Sequence, residues 1–163
     1  MKAEMVRKEK RWIRKAFGHY ISKNVMEEIL KDPSRLKLGG EKKELTVLFS
    51  DIRGFTTYSE KRQPEEVVAI LNEYLDEMTK VVFKHNGTLD KYVGDEIMAI
   101  FGAPSVETQA DHAQRAVEAA IEMMQRLNEL QKKWVSEGKE PIDIGIGINT
   151  GPMLVGNMGS TER

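Results

Sequence analysis

Two aspartates stand where apolar runs end, and both are candidates for metal binding. Asp51 closes the run Thr46–Ser50, and Asp95 lies in the stretch Asp90-Lys-Tyr-Val-Gly-Asp-Glu96. A hard cation such as Mg²⁺ takes one or two protein carboxylates and completes its shell with water and phosphate oxygens. Each aspartate alone also fits a structural role, Asp51 as a helix N-cap and Asp95 as a turn residue. The pair therefore predicts a metal site if the fold brings both side chains together.

The loop after Asp51 has the features of an anion site. It reads Ile52-Arg-Gly-Phe-Thr56, in which Gly54 allows the backbone to approach a ligand closely. The helix expected next would begin with free N–H groups, which bind phosphate. A phosphate group and a metal ion are therefore expected at the same place.

The composition indicates a globular domain and excludes several function classes. The chain has 163 residues, of which 40% are hydrophobic and 31% charged, and its net charge of −1 gives no general attraction to nucleic acid. It has no cysteine, which excludes disulfides and thiolate metal sites and suits a reducing, cytoplasmic compartment. No apolar run approaches the length of a membrane span. The three histidines, His19, His85 and His112, share no ligand-like spacing and are interpreted as structural.

The first 40 residues are predicted to form a helical linker, separate from a domain over residues 41–163. Residues 1–31 have a helical apolar period, and the first 15 carry seven Lys or Arg against two Glu. A solvated helix face explains this charge, and a signal-transducing linker below a missing upstream sensor domain is the alternative. In that alternative the parent protein is membrane-anchored, with this domain on the cytoplasmic side. Gly39-Gly40 is predicted to be a hinge or turn.

The rest of the chain predicts alternating strands and helices. The predicted elements are a strand at Leu45–Ser50, a helix from Pro64 to Asn86-Gly87, a hairpin of Thr88–Val93 and Glu96–Phe101, a helix over Thr108–Val135, a strand at Ile142–Ile148 and a turn at Thr150–Pro152. The predicted buried stripes are Val67, Ile70, Leu71, Tyr74, Leu75, Met78 and Val82 in the first long helix, and Ala113, Val117, Ala120, Ile121, Met124 and Leu127 in the second. Gly145 and Gly147 alternate on one face of the last strand and leave room for a ligand against the sheet. This order predicts an α+β fold, a ferredoxin-like α/β sandwich with a βαββαβ core and helices on one face.

Three motifs together resemble the catalytic domain of class III nucleotidyl cyclases, the adenylate and guanylate cyclases. They are Val47-Leu-Phe-Ser-Asp-Ile-Arg-Gly-Phe-Thr56, Lys91-Tyr-Val-Gly-Asp95, and Ile146-Gly-Ile-Asn-Thr-Gly151 with Val155-Gly-Asn157. The resemblance runs from about Phe17 to the last residue. It implies that ATP is converted to 3′,5′-cyclic AMP and pyrophosphate by intramolecular phosphoryl transfer with two divalent ions, Mg²⁺ or Mn²⁺.

The resemblance also implies a role for each residue of the motifs. Asp51 and Asp95 would bind both metal ions, and the Ile52 carbonyl would be a further ligand. The amides of Gly54, Phe55 and Thr56 would meet the triphosphate. Lys91 would donate to adenine N1 from the partner subunit of a head-to-tail homodimer, whereas guanylate cyclases have a glutamate there. Without the resemblance, Lys91 is interpreted as an exposed strand lysine.

The family's pattern continues beyond this sequence. Similar chains extend past a Gly-Ser-Thr-Glu-Arg-like segment to a second adenine-reading residue and an Asn and an Arg that stabilise the transition state. The chain ends at Arg163. The expectation for the isolated chain is a folded core that binds metal and nucleotide weakly and turns over negligibly, since loss of one such donor costs about 10²–10³ in rate.

Two other functions remain open at the level of sequence. One is a guanylate cyclase or a diguanylate cyclase of the GGDEF type, although Val93 replaces the second glycine of the latter motif. The other is a non-catalytic nucleotide-binding or dimerisation module. Metal-dependent nucleotide binding that requires Asp51 and Asp95 separates an enzyme core from a pure interaction module.

Overall fold

A computed structural model gives the arrangement of the chain, and the structure describes residues 39–103 and 110–157. Residues 1–38 of the predicted linker, including its helical part, lie outside these residues, as does the predicted start of the second long helix at Thr108. The described elements, in chain order, are β1 (Gly39–Ile52), α1 (Phe55–Glu60), α2 (Pro64–Lys84), β2 (Thr88–Val93), β3 (Glu96–Phe101), α3 (His112–Ser136) and β4 (Ile144–Asn157).

The four strands form one antiparallel sheet in the order β2-β3-β1-β4. Helix α2 connects β1 to β2 and α3 connects β3 to β4, so each helix crosses over one intervening strand. This arrangement confirms the predicted α+β, ferredoxin-like βαββαβ core. In the described part of the chain, no helix is long and apolar enough to span a membrane.

Both long helices cover the same face of the sheet. Alternate residues of β1 point toward them: Thr46 bonds to His112 of α3, and Ser50 bonds to Tyr74 of α2. Leu48, between these two residues, is fully buried. The side chains between them point to the opposite face, which no described helix covers and which we call the open face. Phe49, on that face, is 48% exposed.

Helix α2 has the predicted bounds. Pro64 occupies its first turn with Glu65 and Glu66, where a missing N–H costs nothing and acidic side chains suit the helix dipole. The helix ends before Asn86, whose φ is 56°, and Gly87 then donates to the Val82 carbonyl at 2.9 Å. The core side is as predicted, with Ile70, Tyr74, Met78 and Val82 buried and Val67, Leu71 and Leu75 partly buried.

The predicted core face of α3 is wrong for three of its six residues. Val117, Ile121 and Met124 are 48%, 56% and 46% exposed. Of the predicted set only Leu127 is fully buried, while Ala113 and Ala120 are partly buried. The buried side chains are His112, Arg115, Ala116, Ala119, Met123, Leu127, Leu130 and Trp134. The helix is therefore rotated so that this second stripe, which ends at the large Trp134, faces the sheet and α2.

Strands β1 and β4 are longer than predicted, and neither predicted turn exists. Pairing between them is continuous from Gly39↔Asn157 to Ile52↔Ile144. Gly39-Gly40 is therefore strand rather than a hinge, and Thr150–Pro152 continues β4. Pro152 is tolerated because β4 is an edge strand of the described sheet, where a missing N–H need not break the ladder. Ile142, predicted to begin the last strand, precedes it and is buried.

Candidate active site

Asp51 lies near the end of β1, on the open face. It pairs with Gly145 of β4, and its side chain is exposed. After Ile52 the chain turns sharply. The Arg53 amide donates to the Asp143 carbonyl at 2.8 Å, and Gly54 has φ 66° immediately before α1. A left-handed residue is needed at this point, which explains the glycine.

Asp95 reaches the same turn from the β2–β3 hairpin. The hairpin closes through Val93↔Glu96, and Gly94 takes φ 63°. The Asp95 Oδ2 atom accepts a hydrogen bond of 2.9 Å from the amide of Ile52, the residue after Asp51. The structure therefore brings the two predicted carboxylates to one turn, although they are 44 positions apart in the sequence. This bond occupies one oxygen of Asp95 and fixes the direction of the other.

A buried hydrogen bond supports the strand beneath Asp51. The hydroxyl groups of Ser50 and Tyr74 are 2.5 Å apart, and both side chains are fully buried. Burial raises the pKa of Tyr74 to about 12; the bond to Ser50 opposes this rise, while the nearby charges of Asp95 and Asp51 add to it. The Tyr74 hydroxyl thus stays protonated and holds α2 against the end of β1. Sequence reasoning placed Tyr74 in the core but missed this contact.

A cleft on the open face adjoins Asp51. Its lining includes Phe49, Asp51, Arg53, Glu96, Gly145 and Gly147. A Cβ atom at Gly147 would meet nothing within 4 Å, whereas one at Gly145 would lie 3.2 Å from Asp51 Oδ1 and 3.4 Å from Arg53 Nη2. The predicted room beside the alternating glycines therefore exists. At Gly145 it is used by the Asp51 and Arg53 side chains, and sequence reasoning missed Arg53.

The other predicted phosphate-binding residues surround the same turn. The Ile52 side chain is buried, and its amide is the group that binds Asp95. Phe55 packs partly against the core, and Thr56 is exposed in the first turn of α1. The Ile52 carbonyl as a metal ligand and the amides of Gly54, Phe55 and Thr56 as phosphate ligands stay predictions.

Lys91 does not join the aspartates within one chain. It follows an irregularity in β2 after Leu89 and pairs with Met98, which also pairs with Phe49 on the open face. Strands β2 and β1 are separated by β3. The Lys91 side chain is exposed and lies 3.3 Å from the Asp90 carboxylate. It is therefore on the same face as Asp51, two strands away.

The segment before β4 braces the turn that carries Asp51. Besides the bond from Arg53 to Asp143, the Tyr58 hydroxyl donates to the Glu140 carbonyl at 3.2 Å. Arg62 pairs with the Glu140 carboxylate and lies 3.7 Å from the centre of the Tyr58 ring. We call Tyr58, Arg62 and Glu140 the clasp. Sequence reasoning missed it because its members are up to 82 positions apart.

The histidines with described positions have structural partners. His112 Nδ1 is 2.7 Å from the Thr46 hydroxyl, and His85 Nε2 is 2.8 Å from Glu122. In the described residues no three His, Cys, Asp or Glu side chains form a group able to hold a metal ion. A metal at Asp51 and Asp95 would therefore need oxygen ligands from the backbone, water or a substrate.

Comparison with known proteins decides the family. A model described as the adenylate and guanylate cyclase catalytic domain matches residues 39–163. The chain belongs to this family. The class III resemblance expected from the motifs is thereby confirmed, and the GGDEF-type alternative is not supported. Cyclase domains of this family use divalent metal ions.

Relatives of this cyclase domain include adenylate and guanylate cyclases. Adenylate cyclase 1 of Rhizobium meliloti (strain 1021) is 35% identical over 147 residues, covering 90% of this chain and 22% of that protein. The crystal structure of the guanylyl cyclase Cya2 has TM-score 0.73 and 46% identity, covering 77% of this chain and 63% of that chain. The adenylyl cyclase CyaB from P. aeruginosa has TM-score 0.72 and 44% identity, covering 77% and 65%. The cyclase domain thus spans about a fifth of the Rhizobium relative.

Proposed function

We propose that this chain is the catalytic core of an adenylate cyclase, which converts ATP to 3′,5′-cyclic AMP and pyrophosphate. The observation that carries the proposal is the hydrogen bond from the Ile52 amide to Asp95 Oδ2, which places the second carboxylate at the turn that follows Asp51. The adenylate and guanylate cyclases among its relatives support the reaction class.

The donor set fits Mg²⁺ or Mn²⁺. Asp51 is exposed, Asp95 keeps one oxygen beyond its bond to Ile52, and both donors are the hard oxygen ligands that these ions prefer. Asp51, Asp95 and the Ile52 carbonyl would hold two ions, with substrate oxygens completing the shells. When bound, the ions would lower the pKa of the ribose 3′-hydroxyl and neutralise charge on the phosphates.

The chain's own residues hold this geometry in place. The hydrogen bond between Ser50 and Tyr74 fixes the strand below Asp51, and the Ile52 amide orients Asp95. The bond from Arg53 to Asp143 closes the turn that presents the amides of Gly54, Phe55 and Thr56 to the triphosphate. A preorganised site of this kind pays little reorganisation cost as charge moves from the α-phosphate to the leaving pyrophosphate.

Lys91 supports ATP rather than GTP as the substrate. Overall similarity does not separate the two substrates, because a guanylyl and an adenylyl cyclase are 46% and 44% identical to this chain. Lys91 is a cationic donor, which suits the adenine N1 acceptor and mismatches the guanine N1–H. Because Lys91 lies two strands from Asp51 on an exposed face, it would read the base bound by a second copy, and the functional unit is a homodimer.

The parent protein is proposed to be a longer signal-transducing cyclase with its catalytic domain in the cytoplasm. The Rhizobium adenylate cyclase, about four-fifths of which lies outside the match, supports a larger protein. Residues 1–40 would be the linker from a sensor domain, and residues 41–163 the catalytic core. We place the boundary between them at about residue 38, because β1 begins at Gly39.

Calorimetric titration with ATP and with GTP in the presence of Mn²⁺ tests this proposal. ATP is expected to bind more tightly, and Lys91→Glu should reduce or reverse the preference for ATP while leaving Mn²⁺ binding unchanged. Lys42→Glu, the same charge reversal at an exposed position of β1, serves as the control for non-specific charge effects. Equal binding of ATP and GTP by the unchanged protein, or binding independent of Mn²⁺, would contradict the proposal.

A further inference from the structure

The Arg53 guanidinium is a cation beside the proposed metal carboxylate, with no described partner of its own. Its Nη2 and Cζ atoms lie 3.4 and 3.6 Å from the position of a Cβ atom on Gly145, and Asp51 Oδ1 lies 3.2 Å from that same position. Both side chains therefore extend across Gly145 on the open face. The Arg53 backbone is fixed by its bond to the Asp143 carbonyl.

This placement leaves the guanidinium available to a ligand. The Arg53 side chain is exposed, and it makes no hydrogen bond and no ion pair with any residue that the structure describes. By contrast, Arg62, nine positions later, is engaged in the clasp. A guanidinium presents a planar fork of donors that matches the oxygens of a phosphate group. An anion that also bridges to a metal ion at Asp51 would satisfy the charges of both.

We propose that Arg53 binds the polyphosphate chain of the metal–nucleotide complex, on the side of Asp51 that faces Gly145. This inference rests on the proposed function, and it adds a side-chain ligand to a phosphate site otherwise built from backbone amides. The polyphosphate would supply the direct hydrogen-bond and ion-pair partner that the Arg53 guanidinium lacks among the described residues. After bond cleavage the same contact would hold the departing pyrophosphate.

The alternative role for Arg53 is to support the fold of the turn. The two roles predict different responses of metal binding. If Arg53 binds polyphosphate, its positive charge also lies near the metal and opposes binding of the bare ion. Removing that charge should therefore leave the affinity for Mn²⁺ unchanged or raise it. A supporting residue would instead lower the affinities for Mn²⁺ and for polyphosphate together.

The test uses inorganic tripolyphosphate and Mn²⁺ as probes in calorimetric titrations of the whole chain. We expect Arg53→Gln to weaken binding of Mn²⁺–tripolyphosphate about ten-fold, as expected for loss of a charge-assisted hydrogen bond. Affinity for Mn²⁺ alone should be equal or higher. Arg53→Lys keeps the charge without the fork and should fall between the two proteins. Lys42→Gln, which removes one positive charge at an exposed position of β1, should bind both probes normally.

Three results would overturn this assignment: unchanged tripolyphosphate binding in Arg53→Gln, a parallel loss of Mn²⁺ and tripolyphosphate binding, or no binding of Mn²⁺–tripolyphosphate by the unchanged protein. The probe contains no nucleoside and needs no turnover, so the result is independent of base selection. If the cyclase proposal failed on its ATP and GTP titrations while Arg53 still controlled tripolyphosphate binding, the polyphosphate site would stand alone.

Discussion

Replacing Gly145 by alanine should weaken metal binding without destabilising the fold. The new Cβ atom would lie 3.2 Å from Asp51 Oδ1, closer than most Cβ contacts, so the Asp51 side chain must shift by a few tenths of an ångström, while Arg53 Nη2, at 3.4 Å, would be in ordinary contact. Holding a side chain off its preferred rotamer costs about 0.5–1.5 kcal/mol. If Asp51 binds the metal, that cost appears as an affinity for Mn²⁺ reduced about two- to twelve-fold.

Gly147→Ala is the matched control for this change. Gly147 lies two residues further along β4 on the same face, and a Cβ atom there meets nothing within 4 Å. Neither glycine has a positive φ, so alanine should raise stability slightly by restricting the unfolded chain. The assay is titration of Mn²⁺ by calorimetry, with thermal unfolding measured on the same samples. Unchanged Mn²⁺ affinity in Gly145→Ala, or an equal loss in Gly147→Ala, would refute the placement of Asp51 at the metal.

Three further predictions concern Tyr74, the clasp and the orientation of α3. Because burial raises the folded-state pKa of Tyr74 from the ordinary 10.0 to about 12, its stabilising contribution is complete below pH 10 and is lost as the pH rises toward 12. The free energy of unfolding should fall by about 3 kcal/mol over this pH range. Denaturant unfolding of Tyr74→Phe should not show this fall. Glu140→Gln removes the ion pair to Arg62. Because the clasp positions the turn, the free energy of Mn²⁺ binding should fall by more than the free energy of unfolding. A loss of unfolding free energy alone would make the clasp purely structural. Met123→Ala should cost about 2–5 kcal/mol and its exposed neighbour Met124→Ala less than about 0.5 kcal/mol, as measured by urea unfolding, and the reverse order would contradict the orientation of α3.

Local signals in the sequence were sufficient for the hairpin, for α2 and for the topology. The glycine at Gly94 and the two flanking apolar runs specify β2 and β3 within a few residues, and Pro64 and Asn86-Gly87 mark the ends of α2. The convergence of Asp51 and Asp95 followed from the family resemblance. From spacing alone, each aspartate could equally have had a structural role. The bond from Ile52 to Asp95 joins distant parts of the chain and therefore depends on tertiary structure.

The orientation of α3 could not be fixed from local pattern because the helix is apolar on two overlapping faces. A stripe through Val117, Ile121 and Met124 and another through Ala119 and Met123 both have helical spacing. Only the second stripe continues through Leu130 to Trp134, the largest side chain of the core. Giving weight to that tryptophan would have favoured the correct face.

The polar contacts around the site could not be predicted from the sequence for a different reason. Arg53 and the clasp have no local motif, since their neighbours come from Gly145 and Glu140 near the other end of the chain. The extension of β1 back to Gly39 was also missed, because two glycines usually indicate a turn. Here the long partner strand β4 supplies backbone pairing that holds them in strand.

The central claim is that Asp51 and Asp95 together hold the metal that binds ATP. Its most direct test is electron paramagnetic resonance titration of Mn²⁺, with and without ATP, on the chain and on Asp51→Asn and Asp95→Asn. Glu44→Gln, an equal charge change at an exposed position of β1, is the control. We expect ATP to increase the fraction of protein-bound Mn²⁺ in the unchanged protein and in Glu44→Gln, and to have no such effect in the other two variants. Equal Mn²⁺ binding by all four proteins would contradict the claim.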